Sequence, residues 1–293
     1  MNVVRISDGL GNQMFQYAFA RKISILTGKK VYLDTRFINN EDFIKSGNNI
    51  FHRNKLGYRE YGLSHFRIVL PLADEKIVSH WKYLKQDNCV DKALYGLSLM
   101  NKWIWKYKKE DLNFDGALPK FKWDFPAYYQ GYFFDLNYYD DIRPLLKREF
   151  SLKQKIKLSS DLHAALNDEN TVSLHVRRGD FLRLNRDISY SGYYDKAIKY
   201  MESQIDRPVY FIFSDDINWV KKNMDIPGKK IFVSSMGFQD YEELIIMKHC
   251  KHNIIANSTF SYWGAYLNDN EDKIVVCPRN WRSRIIPKSW SKC

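Results

Sequence analysis

The 293-residue chain reads as an α/β protein built on parallel sheets. Three observations predict this. Short β-branched and aromatic runs alternate with stretches of about 10–15 residues that carry helical periodicity. Gly, Asn, Asp and Arg cluster immediately after the predicted strands. The composition is 45% hydrophobic and 16% aromatic, which excludes disorder and supplies apolar material for more than one core. At roughly 100–200 residues per domain, the length suits two domains or a single large one.

The elements follow in order. Residues 3–6 form a strand, and 13–26 a helix that stops at Gly28, a natural left-handed C′ residue. Residues 30–33 form the next strand. Residues 40–130 are aromatic, broken by Gly and Pro, and read as insertions in this first α/β domain. Residues 150–170, with their lysines, are the linker candidate, which sets domains of 1–155 and 156–293. The second half is more regular. Strands are expected at 171–177, 208–213, 231–234, 253–256 and 273–277, with helices at 216–223, 240–249 and 260–267. Tyr194, Ile198, Met201 and Ile205 share one face of a further helix.

The formal charge is +12, divided as +7 over residues 1–150 and +5 over 151–293, so it is not a basic tail. A basic, aromatic-rich chain suits nucleic acid, an anionic membrane surface, or a phosphorylated or sugar substrate. No apolar run of about 18 residues predicts a transmembrane helix, and no signal-peptide core is expected. Cys89, Cys250, Cys277 and Cys293 form no C-x-x-C pair, which fits a reducing compartment.

In open parallel sheets ligands bind beyond the carboxyl ends of strands, and four loops sit there. The first is Asp8-Gly9-Leu10-Gly11-Asn12-Gln13-Met14. Met14 replaces the third glycine of a dinucleotide fingerprint, so a nicotinamide cofactor is not expected despite Asp34 after the next strand. Gly9 and Gly11 allow close backbone approach, while Asn12 and Gln13 suit a hydroxyl-rich ligand. A plain tight turn would look the same. The second is His175-Val176-Arg177-Arg178-Gly179-Asp180. Alternation places His175 and Arg177 on one side and Arg178 on the other. Arg forks suit phosphate oxygens, and Asp180 can hold one guanidinium; a surface ion pair is the simpler alternative.

The third loop, Ser214-Asp215-Asp216, offers a carboxylate to a base or ribose, or a cap to the following helix. The fourth, Asn257-Ser258-Thr259-Phe260-Ser261, opens a helix with hydroxyls and backbone N–H groups, as a diphosphate requires. No D-x-D occurs, which argues against a divalent-cation sugar-transferase design. His249 and His252 straddle a helix–strand junction without further ligands, so no metal site is expected. Residues 102–109 (KWIWKYKK), and the stretch 279–292 with Trp281, Arg282, Arg284, Lys288 and Trp290, read as amphipathic surface or as contact with an anionic membrane or lipid-linked substrate.

The segments DGLGNQMFQYAFA, SLHVRRGDF, FIFSDD and NSTFSYWGAYL, in this order, resemble the inverting α-1,2-fucosyltransferases of glycosyltransferase family 11. The resemblance runs from residue 8 to about 268 and implies a GT-B-like pair of Rossmann-type domains facing across a cleft. The N-terminal domain would be on the acceptor side and the C-terminal one would bind the donor. It implies GDP-β-L-fucose as donor substrate, no metal or other cofactor, and transfer to the 2-hydroxyl of a terminal galactose. By similarity, Arg177 neutralises the β-phosphate of departing GDP, and Arg178 and Asp180 complete its motif. His175 and one of Asp215 or Asp216 contact guanine, while Ser258, Thr259 and Phe260 cradle phosphate. Asn12 lies near the reacting sugar and, with Gly9, Gly11 and Gln13, belongs to the donor-facing set; the general base stays unassigned. Animal members carry a membrane anchor, and this chain is expected instead to be a bacterial cytoplasmic enzyme at the inner membrane face. There it would decorate an O-antigen or capsule precursor. The rivals are another GDP-sugar transferase of the same architecture and a non-catalytic nucleic-acid-binding or carbohydrate-binding protein. No nucleic-acid motif is present.

Overall fold

The computed structural model describes residues 1–38, 60–79, 106–109, 127–167 and 170–293, with 106–109 as backbone. Two units divide the chain, Met1–Ser151 and Leu152–Cys293. Cys89, residues 102–105 and most of the 40–130 insertion lie outside the described residues. Among the described residues no helix is long and apolar enough to cross a membrane.

In the first unit, β1 (Asn2–Arg5) pairs in parallel with β2 (Val31–Asp34) on one side and β4 (Ala127–Gln130) on the other. Strand β3 (Lys106–Lys109) completes a parallel sheet of order β2-β1-β4-β3. Helix α1 (Leu10–Thr27) is apolar on most of its surface, and Met14, Phe15, Tyr17, Ala18, Phe19 and Ile23 are buried. Such a helix is covered on more than one side. Phe19 stacks on Phe133 with centroids 3.6 Å apart. Gly28 ends α1 at φ +63°, where its N–H donates to the Ser24 carbonyl. Helices α2 (Glu75–Ser79) and α3 (Arg143–Glu149) follow. Tyr17 and Arg21 of α1 tie to α3 through the buried Glu149 carboxylate.

The second unit begins with α4 (Ser160–Leu166). The boundary between the units thus falls inside the stretch expected as linker, 150–170, while residues 160–166 of that stretch are helical. Ser159 caps the helix by accepting from the Leu162 N–H at 3.3 Å, and Leu162 and Leu166 are buried in the core. Their spacing of four residues was masked by polar neighbours. Then come β5 (Thr171–Val176), α5 (Gly179–Arg183), α6 (Tyr193–Gln204), β6 (Val209–Ser214), α7 (Ile217–Asn223) and β7 (Lys229–Phe232). After them are α8 (Asp240–His249), β8 (His252–Ile254), α9 (Thr259–Leu267), β9 (Val275–Cys277) and β10 (Ser291–Lys292). The expected strand at 231–234 starts earlier and ends in a 3₁₀ turn, Val233–Ser235.

All six strands are parallel, in the order β7-β6-β5-β8-β9-β10. This is a doubly wound order whose direction reverses between β5 and β8. Period-two alternation divides β5 and β6 between two cores. Val172, Leu174 and Val176 pack with Tyr194, Ile198 and Met201 of α6. Phe211 and Phe213 pack with Ile246 and Met247 of α8.

Candidate active site

In doubly wound sheets ligands bind in the crevice beyond the carboxyl ends of the strands where the order reverses, which here falls between β5 and β8. Strand alternation decides which side chains enter it. Val176 and Arg178 point to the α6–α7 face, whereas His175 and Arg177 point to the face carrying α8 and α9. The His175 ring is buried with its centroid 5.6 Å from that of Phe260, and its Nδ1 makes no hydrogen bond. Burial, and then the adjacent Arg177 charge, push its pKa down to about 3. It is therefore neutral throughout the physiological range.

Arg177 is held by two carboxylates. Its Nε and Nη2 donate to Asp180 Oδ1 at 3.0 and 2.6 Å, and its Nη1 lies 3.1 Å from Asp215 Oδ2. The side chain keeps about 20% of its surface exposed, so the fork is steered but not enclosed. Asp215 also accepts from the Arg178 backbone N–H at 2.9 Å. A Cβ at position 179 would lie 2.5 Å from Asp215 Oδ2, so Gly179 is what allows this carboxylate to sit against the loop.

Arg178, expected to join Arg177 in binding donor, is held by side chains of its own unit. Its side chain is only 6% exposed. Nη1 donates to Asp187 at 3.0 Å and to Ser189 Oγ at 2.5 Å, and Nε donates to Asp216 at 3.3 Å. The guanidinium lies over the Trp219 ring, 3.6 Å from its centroid. Alternation carries Arg178 to the α7 side of the sheet, where the chain's own acids surround it. Asp216 in turn caps α7 by accepting from the Trp219 N–H at 3.3 Å. Of the two carboxylates weighed for guanine, Asp216 is thus the helix cap and Arg178's partner, while Asp215 orients Arg177.

Ser258 accepts from the Phe260 N–H at 3.3 Å and caps α9, with Thr259 and Phe260 in the first turn. Asn257 joins this loop to the segment after α5 by donating to the Arg186 carbonyl at 2.8 Å. Sequence reasoning missed Glu243, on α8. It hydrogen-bonds Ser234 of the turn after β7, and Ser234 Oγ accepts from the Ser214 N–H at the end of β6. Burial above all, with help from Asp240 and Asp215, raises the Glu243 pKa to about 7. No cation pairs with it among the described residues. No local signal marks it, since Glu242 beside it is equally acidic.

In the first unit the loop after β1 meets the loop after β4. Asp8 sits at φ +66° and accepts from the Tyr132 hydroxyl at 2.7 Å. Gln13, expected to offer its amide to a hydroxyl-rich ligand, is fully buried. It donates to the carbonyls of Asp8 and Glu60, both at 2.8 Å, and accepts from the Gly62 N–H at 3.1 Å. It clamps residues 60–62 to the loop. Gly9 precedes α1, Gly11 is buried in its first turn, and Asn12 keeps part of its surface exposed. Among the described residues no three of His, Cys, Asp and Glu converge as metal ligands. His249 Nδ1 contacts the Ile245 carbonyl at 2.7 Å, and His252 Nδ1 accepts from the Ile274 N–H at 3.0 Å.

Sequence relatives define a glycosyltransferase. The chain belongs to glycosyl transferase family 11, whose model matches residues 1–288. It is 30% identical to the O-antigen biosynthesis glycosyltransferase WbnK of Escherichia coli, over 97% of this chain and 98% of that one. It is 27% identical to an α-1,2-colitosyltransferase of E. coli, over 99% of this chain and 96% of that one. A galactoside α-(1,2)-fucosyltransferase 2 of Rattus norvegicus is 24% identical over 47% of this chain and 43% of its own length. Among solved structures, the fucosyltransferase NodZ from Bradyrhizobium covers 90% of this chain and 91% of its own, with TM-score 0.45 and 12% identity.

Proposed function

We propose that this family 11 enzyme is an inverting galactoside α-1,2-fucosyltransferase. It moves L-fucose from GDP-β-L-fucose to the 2-hydroxyl of a terminal galactose in a lipid-linked surface-glycan precursor, such as an O-antigen unit, without a metal ion. It works in the bacterial cytoplasm, in peripheral contact with an anionic membrane. The observation that carries the reading is Arg177, steered by Asp180 and Asp215 yet left partly open at the carboxyl end of β5.

In the reaction, the bond between fucose C1 and the β-phosphate oxygen breaks and its electron pair leaves with GDP. The acceptor 2-oxygen forms a bond to C1 from the opposite face and loses its proton to a base that stays unassigned. Negative charge therefore develops on the diphosphate. Arg177, with the first-turn amides of α9 behind the Ser258 cap, supplies the compensating positive field. Field that grows with this charge favours the transition state over the ground state. By resemblance, Asn12 lies beside the reacting sugar, and Thr259 and Phe260 stand in the phosphate-cradling segment.

Glu243 takes the base-reading role in this account. As a carboxylate it accepts from ring N–H and amino groups of guanine, and neutral His175 offers a ring nitrogen without a hydrogen-bond partner. Ionised Glu243 becomes more abundant as pH rises through about 7. GDP affinity is therefore expected to rise up to about tenfold between roughly pH 6 and pH 8, because apparent affinity scales with the competent fraction. The slope should vanish in E243Q; a slope unchanged by that substitution contradicts the assignment. The experiment for the whole reading is a thermal-shift panel of GDP, GDP-fucose, GDP-mannose and UDP-galactose, with and without EDTA. Stabilisation by GDP and GDP-fucose, insensitive to EDTA, is expected. A uridine donor that stabilises better overturns it.

A further inference from the structure

Residues 273–293 hold six Lys and Arg and no Asp or Glu, half of the chain's formal charge of +12. The structure shows how they are displayed. After β9 the chain leaves the sheet, passes through a 3₁₀ turn at Ser283–Ile285, and returns as the edge strand β10. The loop is anchored, not loose. Ile285, Ile286 and Trp290 are buried, and the Trp290 ring lies 5.3 Å from that of Tyr262. The Cys293 N–H donates to the Cys277 carbonyl at 3.1 Å, and the Arg279 N–H to the Cys293 carbonyl at 2.9 Å.

On this frame Arg279, Arg282, Arg284, Lys288 and Lys292 are exposed, and Trp281 is half-exposed among them. No carboxylate among the described residues pairs with Arg279, Arg284, Lys288 or Lys292. Elsewhere in this unit the arginines at the site are matched by acids; here Arg279, Arg284, Lys288 and Lys292 are not.

We propose that the loop between β9 and β10 is the surface by which the enzyme docks on an anionic phospholipid bilayer. Charge complementarity identifies the occupant: fixed cations without local counter-charges attract an anionic headgroup layer. A half-exposed indole beside them suits the headgroup level, where tryptophan is enriched. The proposal gives a location to the peripheral membrane contact in the functional reading and does not depend on the donor sugar.

The test is co-sedimentation with vesicles of phosphatidylcholine alone and of phosphatidylcholine containing phosphatidylglycerol. Binding to the anionic vesicles only is expected, with release at high salt as screening shortens the reach of the charges. The variant Arg279→Gln/Arg284→Gln/Lys288→Gln should lose roughly 100-fold in partition, at about fivefold per charge. Its thermal midpoint should be unchanged, and so should its rate with a soluble galactoside acceptor. The control Lys221→Gln/Lys222→Gln removes two exposed lysines of α7 and should bind vesicles like the unmodified enzyme.

Equal binding to both vesicle types, full binding by the triple variant, or an equal loss in the control would each overturn the proposal. So would preferential binding of single-stranded RNA over anionic vesicles. Because vesicle binding is measured without donor or acceptor, a wrong donor assignment would leave this result unchanged.

Discussion

Replacing Arg177 with alanine is expected to cut glycosyl transfer by on the order of 100–1000-fold or more, the scale of a lost oxyanion donor, while the protein stays folded. The two halves of this result have separate causes. The rate falls because no other cation is placed by strand β5 to meet the departing diphosphate. The fold survives because the partners left behind are not enclosed. Asp180 and Asp215 keep about 21% and 26% of their side-chain surface exposed, so water can solvate them. Initial rates at saturating donor and acceptor, with a denaturation curve on the same sample, check both halves. A folded Arg177→Ala enzyme with near-normal turnover would remove the catalytic assignment.

The neighbouring substitution should behave in the opposite way. Arg178→Ala takes one member from a buried ionic cluster and leaves Asp187, whose side chain is only 9% exposed, without its cation. Uncompensated buried charges of this kind cost about 3–5 kcal/mol. For a unit of this size the midpoint should fall by on the order of 10 °C. The stacking of the guanidinium on Trp219 is lost as well. Arg178→Lys should recover only part of the loss, since an ammonium cannot reproduce the planar fork that reaches Asp187, Ser189 and Asp216 together. Thermal and urea unfolding would measure this. An Arg178→Ala protein of unchanged stability but lost GDP affinity would make Arg178 a donor ligand after all.

This contrast was partly legible beforehand. The adjacent arginines looked equivalent as residue types, and only the period-two geometry of β5 separated them. The same strand and β6 were easy to read because each is a six-residue run of buried β-branched, aromatic and small residues. Glu243 was not legible as a site residue. Glu242 beside it is an ordinary capping-box residue, whose carboxylate accepts from the Gln239 N–H at 2.9 Å. Nothing local distinguishes the two acids. What raises the pKa of Glu243 is burial, followed by the charges of Asp240 and of Asp215, and Asp215 arrives from the end of another strand. The burial of Gln13 was not legible for a similar reason. Its clamp depends on Glu60, 47 residues away, and no periodicity reports a contact at that separation. Helix α4 escaped because one cap and two leucines are a weak pattern among polar residues.

The central claim is the donor, the position of attack and the stereochemistry. The direct measurement is transfer from GDP-β-L-fucose to a terminal galactoside in the presence of EDTA, with a nucleotide-activated colitose as competitor and the product linkage read by NMR. The expected product is a fucosyl residue α-linked to the galactose 2-oxygen, formed with inversion and at the same rate with or without the chelator. Transfer of colitose in preference to fucose, attachment to another hydroxyl, or retention of the donor's configuration would contradict it.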